Sequence, residues 1–174
     1  MRLYLIRHPR PDVADGLCYG QTDLPLAAPA AAVAAQLLPQ LPPGLPVYSS
    51  PLRRCRELAT ELHRSPRFDA RLQEMHFGAW ELRAWDAIDR EALDAWAADP
   101  LRFVVPEGES VGQMRHRALA FVTELEGDAV IVTHAGVIKA LTGWAGALPQ
   151  DEWIRRSFAY GSLTVVDWND GPRP

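Results

Sequence analysis

With 174 residues, of which 48% are hydrophobic and 23% charged, the chain has ordinary globular usage and is long enough to enclose one substantial core. A net charge of −4 excludes the broad basic field by which nucleic-acid binders attract phosphate backbones. Cys18 and Cys55 show neither CxxC nor Cys/His spacing, which excludes a zinc or disulfide framework, and no run reaches the roughly 18 apolar residues of a membrane span.

Residues 1–174 therefore read as one domain of a cytoplasmic, unexported protein, since no basic leader precedes a long apolar stretch. In chain order, residues 3–6 (LYLI) are short and continuously apolar, the pattern of a strand covered on both faces. The alanine-rich 27–38 segment follows as a helix. Residues 46–50 (PVYSS) form a weaker strand candidate. They lead into a helix over 50–63 with Ser50 as N-cap, Pro51 at the first position, and Leu52, Cys55, Leu58, Ala59 and Leu62 on one face. A second weak strand, 67–72 (RFDARL), precedes a tryptophan-bearing helix over 84–98.

The helix over 110–125 is the best marked. Val111, Met114, Ala118, Val122 and Leu125 share a stripe, and Ser110 and Gln113 have capping-box spacing. Residues 129–133 (AVIVT) repeat the buried-strand pattern, 137–145 is a short helix ending near Gly146, and 162–168 (SLTVVDW) is a closing β-branched strand. This alternation predicts an α/β fold of three layers, a mainly parallel sheet with helices on both faces.

Ligands of such sheets bind outside the carboxyl ends of the strands, where this chain places unusual polar residues repeatedly. Arg7 and His8 follow LYLI, Ser50 follows the second strand, and His134 follows AVIVT. A guanidinium fork suits a phosphate, and a neutral imidazole can attack phosphorus. A second arginine comes from Arg53, Arg54 and Arg56. Arg53 falls opposite the apolar stripe and Arg56 on its far flank, so Arg54, on the border within the first turn, is favoured.

The segments LIRHPRP, YSSPLRRCRELA, LQEMHFGAWE, GES and VTHAGVIKAL, in that order, resemble the histidine phosphatase superfamily, or phosphoglycerate-mutase-like fold, over nearly the whole chain. GLCYGQTDLPL together with EMHFGAWE resembles the α-ribazole phosphatase branch more narrowly. The resemblance implies that His8 is a nucleophile forming a phosphohistidine and that Arg7, Arg54 and His134 bind the transferring phosphoryl group. It also implies that Glu74 is the proton donor, with Glu81 as its rival. A carboxylic acid fits that role because the departing alkoxide is strongly basic. Gln21, Ser50, Glu81 and Ala135 make up the substrate-contacting set. Trp80, Trp85 and Trp96 are candidates to shelve an aromatic base, whereas His63 and His116 read as helix-surface residues and His76 as a packing or solvent-facing one.

Two departures stand out. Where the family usually has Arg-His-Gly-Glu-Thr and a later asparagine, this chain has Pro9, Arg10, Pro11 and Ala14. Proline offers no amide hydrogen, so a backbone donor at position 9 is absent. The leading expectation is a metal-independent phosphomonoesterase without cofactor, acting on α-ribazole 5′-phosphate as a monomer or homodimer. The alternatives are a phosphatase of the same chemistry for another small ester, and an inactive phosphate-ester sensor.

Overall fold

The computed structural model describes residues 1–169. Five strands form one sheet: β1 (Arg2–Arg7), β2 (Val47–Ser49), β3 (Arg67–Phe68), β4 (Ala129–Thr133) and β5 (Leu163–Asp167), in the order β3-β2-β4-β1-β5. The first four run parallel, and β5 lies antiparallel on β1 at the edge. Six α-helices accompany them: α1 (Ala31–Leu37), α2 (Arg53–Leu62), α3 (Arg90–Ala98), α4 (Val111–Val122), α5 (Ala135–Ala145) and α6 (Gln150–Arg155).

The strand alternation of side chains divides the core in two. Leu3, Leu5, Ala129 and Ile131 face α4, α5 and Trp153 of α6, whereas Tyr4, Ile6, Val130 and Val132 face α1 and α2. The expected three-layer α/β architecture is thus observed. Leu5 is completely buried, and Leu5→Ala would cost about 2–5 kcal/mol.

Four elements differ most from expectation. The strand expected over 67–72 stops after Phe68, because the Asp69 carboxylate accepts from the Arg71 amide (2.8 Å) and turns Ala70–Leu72 into a 3-10 turn. Ser50 does not cap α2. Leu52 occupies the N-cap position, and the Arg53 amide is satisfied by Asp23 Oδ1 at 2.6 Å from a distant loop. The 84–98 segment splits into a 3-10 turn (Trp85–Ala87) and α3, which Asp89 caps through the Ala92 amide. Helix α6 had no counterpart in the sequence reading, although Asp151 and Glu152 in its first turn and Arg155 in its last complement the helix dipole. By contrast, the Ser110–Gln113 capping box is present in full.

Candidate active site

The parallel pairing carries past the strand ends and brings the site together. Beyond β1 the His8 amide donates to Thr133 O (3.0 Å), and beyond β2 the Ser50 amide donates to Val132 O (3.0 Å). Arg7, His8, Ser50 and His134 therefore converge at the carboxyl ends of three adjacent strands. Arg7, His8, Arg54 and Glu74 line one cleft of about 210 Å³, walled by Leu17, Tyr19, Phe77 and Trp85.

His8 is buried, and its Nδ1 lies 2.7 Å from Pro9 O. A carbonyl oxygen can only accept, so Nδ1 carries the proton and Nε2 keeps its lone pair. Burial and, after it, the charge of Arg54 push the His8 pKa down to about 3, against a smaller opposing effect of the Pro9 hydrogen bond, with Arg7 adding to the lowering. The ring is a neutral base. His134, 5.0 Å away between ring centroids, is held well below the ordinary histidine value by burial and then by Arg54 and His8. Its Nε2 meets Ser50 Oγ at 2.9 Å and Cys55 Sγ at 3.4 Å.

Arg54 is completely buried, as its place on the α2 stripe predicts, while Arg53 and Arg56 are exposed. Its guanidinium donates to Thr22 O (2.9 Å) and Gly20 O. Arg7 donates to Phe158 O (2.6 Å) and lies 3.7 Å above the Tyr160 ring. In both arginines Nε is buried without an acceptor. A buried guanidinium and a half-buried one, each with an unused Nε donor, beside two neutral histidines and the amino end of α5, make a concentrated positive field suited to an oxyanion.

The two carboxylates differ in kind. Glu74 Oε2 accepts from the Gly136 amide in the first turn of α5 (3.0 Å) and Oε1 from its neighbour Met75 (3.0 Å), and the carboxylate borders the cleft. The approach is close: a Cβ at position 136 would stand 2.2 Å from Glu74 Oε1 and displace the carboxylate. Glu81 instead binds its own loop. It accepts from the amides of Gly20, Gln21, Thr22 and Phe77 and from the Thr22 hydroxyl. Burial opposes its ionisation, but these hydrogen bonds, led by Thr22, outweigh it and hold the carboxyl below its usual value. Glu81, expected to contact substrate or donate a proton, is fully engaged as a loop anchor.

The other expected contacts are placed unevenly. Gln21 donates through Nε2 to Glu74 O (3.1 Å), Ser50 supports His134, and Ala135 opens α5 beside Glu74. Trp80 is a core residue stacked on Phe103, Trp96 lines an apolar cavity on the far side of Glu74, and only Trp85 of the three lines the cleft. His63, just past the end of α2, and His116 on α4 lie toward the surface as expected, and Ala14 is exposed.

Sequence reasoning missed Tyr19 and Tyr160, whose hydroxyls meet at 2.7 Å over Arg7 and His8. Tyr160 sits in a loop with no periodicity or motif to mark it. Glu109 and Arg117 were also missed, although Glu109 belongs to the GES segment. Among the described residues, no three His, Cys, Asp or Glu side chains converge as a metal ligand set, and no helix is long and apolar enough to cross a membrane.

A mainly parallel sheet whose strand ends bring two arginines, His8 and a carboxylate to one cleft, with the fully buried His134 packed against His8, defines an α/β protein built to hold a phosphate ester. The chain belongs to the histidine phosphatase superfamily, branch 1, whose family pattern matches residues 3–173. A phosphoglycerate mutase from Thermus thermophilus is similar in structure, with 36% identity, a TM-score of 0.81, and 99% of this chain and 95% of that one covered. The α-ribazole phosphatase of Shigella flexneri is similar at 28% identity and a TM-score of 0.82, covering 97% and 91% of the two chains. A glucosyl-3-phosphoglycerate phosphatase of Mycolicibacterium vanbaalenii is 34% identical over 125 residues, 62% of this chain. The match takes in 56% of that relative's length.

Proposed function

We propose that the protein is a phosphomonoester hydrolase that works through a phosphohistidine on His8 and takes α-ribazole 5′-phosphate as substrate. The observation that carries the reaction is the His8–Pro9 contact, which leaves Nε2 unprotonated in a cleft that Arg7 and Arg54 also line. Nε2 attacks phosphorus, the N–P bond forms, and the ester P–O bond breaks with the Glu74 proton passing to the leaving oxygen. Glu74, now a carboxylate, then takes a proton from water. The hydroxide attacks phosphorus, the N–P bond breaks, and inorganic phosphate leaves. Arg7, Arg54 and His134 hold the three non-bridging oxygens throughout.

No step of this route calls for a metal. For the substrate, support comes from the likeness to the Shigella flexneri enzyme and from the aromatic wall of Tyr19, Phe77 and Trp85, which suits a planar base. The Mycolicibacterium vanbaalenii relative favours a second reading, a phosphorylated sugar derivative as substrate. A kinetic panel of α-ribazole 5′-phosphate, sugar phosphates, phosphoserine and nucleotides separates the two. A clear preference by kcat/KM for α-ribazole 5′-phosphate is expected, and its absence overturns the substrate. Turnover of p-nitrophenyl phosphate should persist in EDTA and vanish in His8→Ala. No turnover in the wild type would make the chain a sensor, and complete inhibition by the chelator would overturn the metal-free route.

A further inference from the structure

We infer that Arg117 and Glu109 are positioning residues for the proton donor, an inference that rests on the acid role proposed for Glu74. Arg117 lies on α4, away from the cleft, yet all five of its N–H groups are engaged. Nη1 donates to Arg71 O (2.7 Å) and Gln73 O (2.6 Å), and Nη2 to Glu74 O (2.8 Å) and Glu109 Oε1 (2.6 Å). Nε donates to Glu109 Oε2 (3.2 Å). Glu109 completes the clamp, because its Oε1 also accepts from the His76 amide (2.9 Å) and its own amide donates to His76 O (2.9 Å).

The segment held in this way is irregular. Between the 3-10 turn ending at Leu72 and the one beginning at Gly78, no strand ladder fixes the backbone, so residues 73–77 owe much of their course to side-chain contacts. The ion pair grips positions 71, 73, 74 and 76, on both sides of the donor. Its side chains are only 19% and 15% exposed. A buried ion pair of this kind is a weak source of stability compared with packed apolar side chains. What a planar fork fixes is geometry, and a displacement of about 1 Å at a reacting group can cost about 100-fold in rate.

The test uses the leaving group. A p-nitrophenolate departs near neutrality without a proton, whereas an alkoxide needs one, so a defect in the acid shows on alkyl esters alone when read in kcat/KM, which reports phosphoryl transfer to His8 and not the later hydrolysis in which Glu74 acts as base. Arg117→Lys, Arg117→Met, Glu109→Gln and Glu74→Gln are compared with wild type on p-nitrophenyl phosphate and on the alkyl ester turned over fastest in the substrate panel. Near-UV circular dichroism checks folding. The clamp variants should lose about 10-fold or more in kcat/KM on the alkyl ester and less than about 3-fold on p-nitrophenyl phosphate, following Glu74→Gln in direction.

If Arg117→Met fails to fold, the Lys and Gln variants carry the comparison. Equal losses on both esters in the clamp variants, with Glu74→Gln still selective, overturn the positioning role alone. Equal losses in Glu74→Gln overturn the acid assignment, and the positioning role with it.

Discussion

Replacing Glu81 by glutamine separates a loop anchor from a catalytic acid. The carboxylate accepts five hydrogen bonds: Oε2 from Gly20 N (2.9 Å), Thr22 N (3.1 Å) and Thr22 Oγ1 (2.6 Å), and Oε1 from Gln21 N (2.9 Å) and Phe77 N (3.1 Å). A glutamine amide keeps one oxygen and turns the other into a donor. In either orientation two backbone amides then face an NH₂ group, Gly20 and Thr22 in one case, Gln21 and Phe77 in the other. The Thr22 hydroxyl can rotate to accept. Each stranded amide costs about 1–3 kcal/mol when buried; the site is only half-buried, so a loss of about 2–4 kcal/mol is expected in urea unfolding. Because Arg54 is held by Gly20 O and Thr22 O, loosening this loop should lower turnover of alkyl and aryl esters alike. A variant of wild-type stability that loses only alkyl-ester turnover would make Glu81 the acid and refute this reasoning.

Two further perturbations test the site. His8 and His134 have native pKa values depressed below their unfolded value near 6.5, to about 3 for His8. The unfolded chain therefore binds protons that the native state refuses, and stability present above pH 6.5 is lost as pH falls toward 3, by about 1.4 kcal/mol per pH unit for each histidine. In urea titrations between pH 7 and 5, His8→Gln should lose less stability on acidification than wild type by about one histidine's share; parallel curves would show that His8 is not held neutral. Gly136→Ala places a Cβ 2.2 Å from Glu74 Oε1 and 3.1 Å from Met114 Sδ, so the flexible carboxylate must move. The melting temperature should change little while kcat/KM for the alkyl ester falls about 10-fold and kcat/KM for p-nitrophenyl phosphate holds; an unchanged alkyl-ester kcat/KM would mean that Glu74 acts from elsewhere.

What could be read from the chain in advance follows the range of the forces involved. Leu3–Ile6, Ala129–Val132 and the Cys55/Leu58/Leu62 stripe announce their burial through periodicity, a local signal, and Arg54 could be placed by counting angles along that helix. The ends of the elements were less legible because distant groups decide them. Asp23, 30 positions upstream, caps α2 where Ser50 seemed to, and the Ser50 hydroxyl serves His134 instead. Arg117 reads as one more charged residue on an amphipathic helix. Only the fold shows that its guanidinium reaches three carbonyls more than 40 positions away.

Pro9 shows how a sequence departure can miss the group that matters. Measured by what proline lacks, Pro9 removes a backbone donor from the phosphate loop. In the structure the nucleophile uses what proline keeps: its carbonyl accepts a hydrogen bond from His8 Nδ1–H, and any residue at position 9 would supply that oxygen. The ring adds a restriction, disfavouring the helical region for His8 and fixing φ at its own position, so the chain leaving β1 has fewer ways to turn the carbonyl aside. The substitution therefore spares the contact that sets the tautomer and stiffens the loop that presents it. If Pro9 affects what the cleft accepts, it acts through the missing amide donor and the rigidity of this loop, while the state of the nucleophile stays the same.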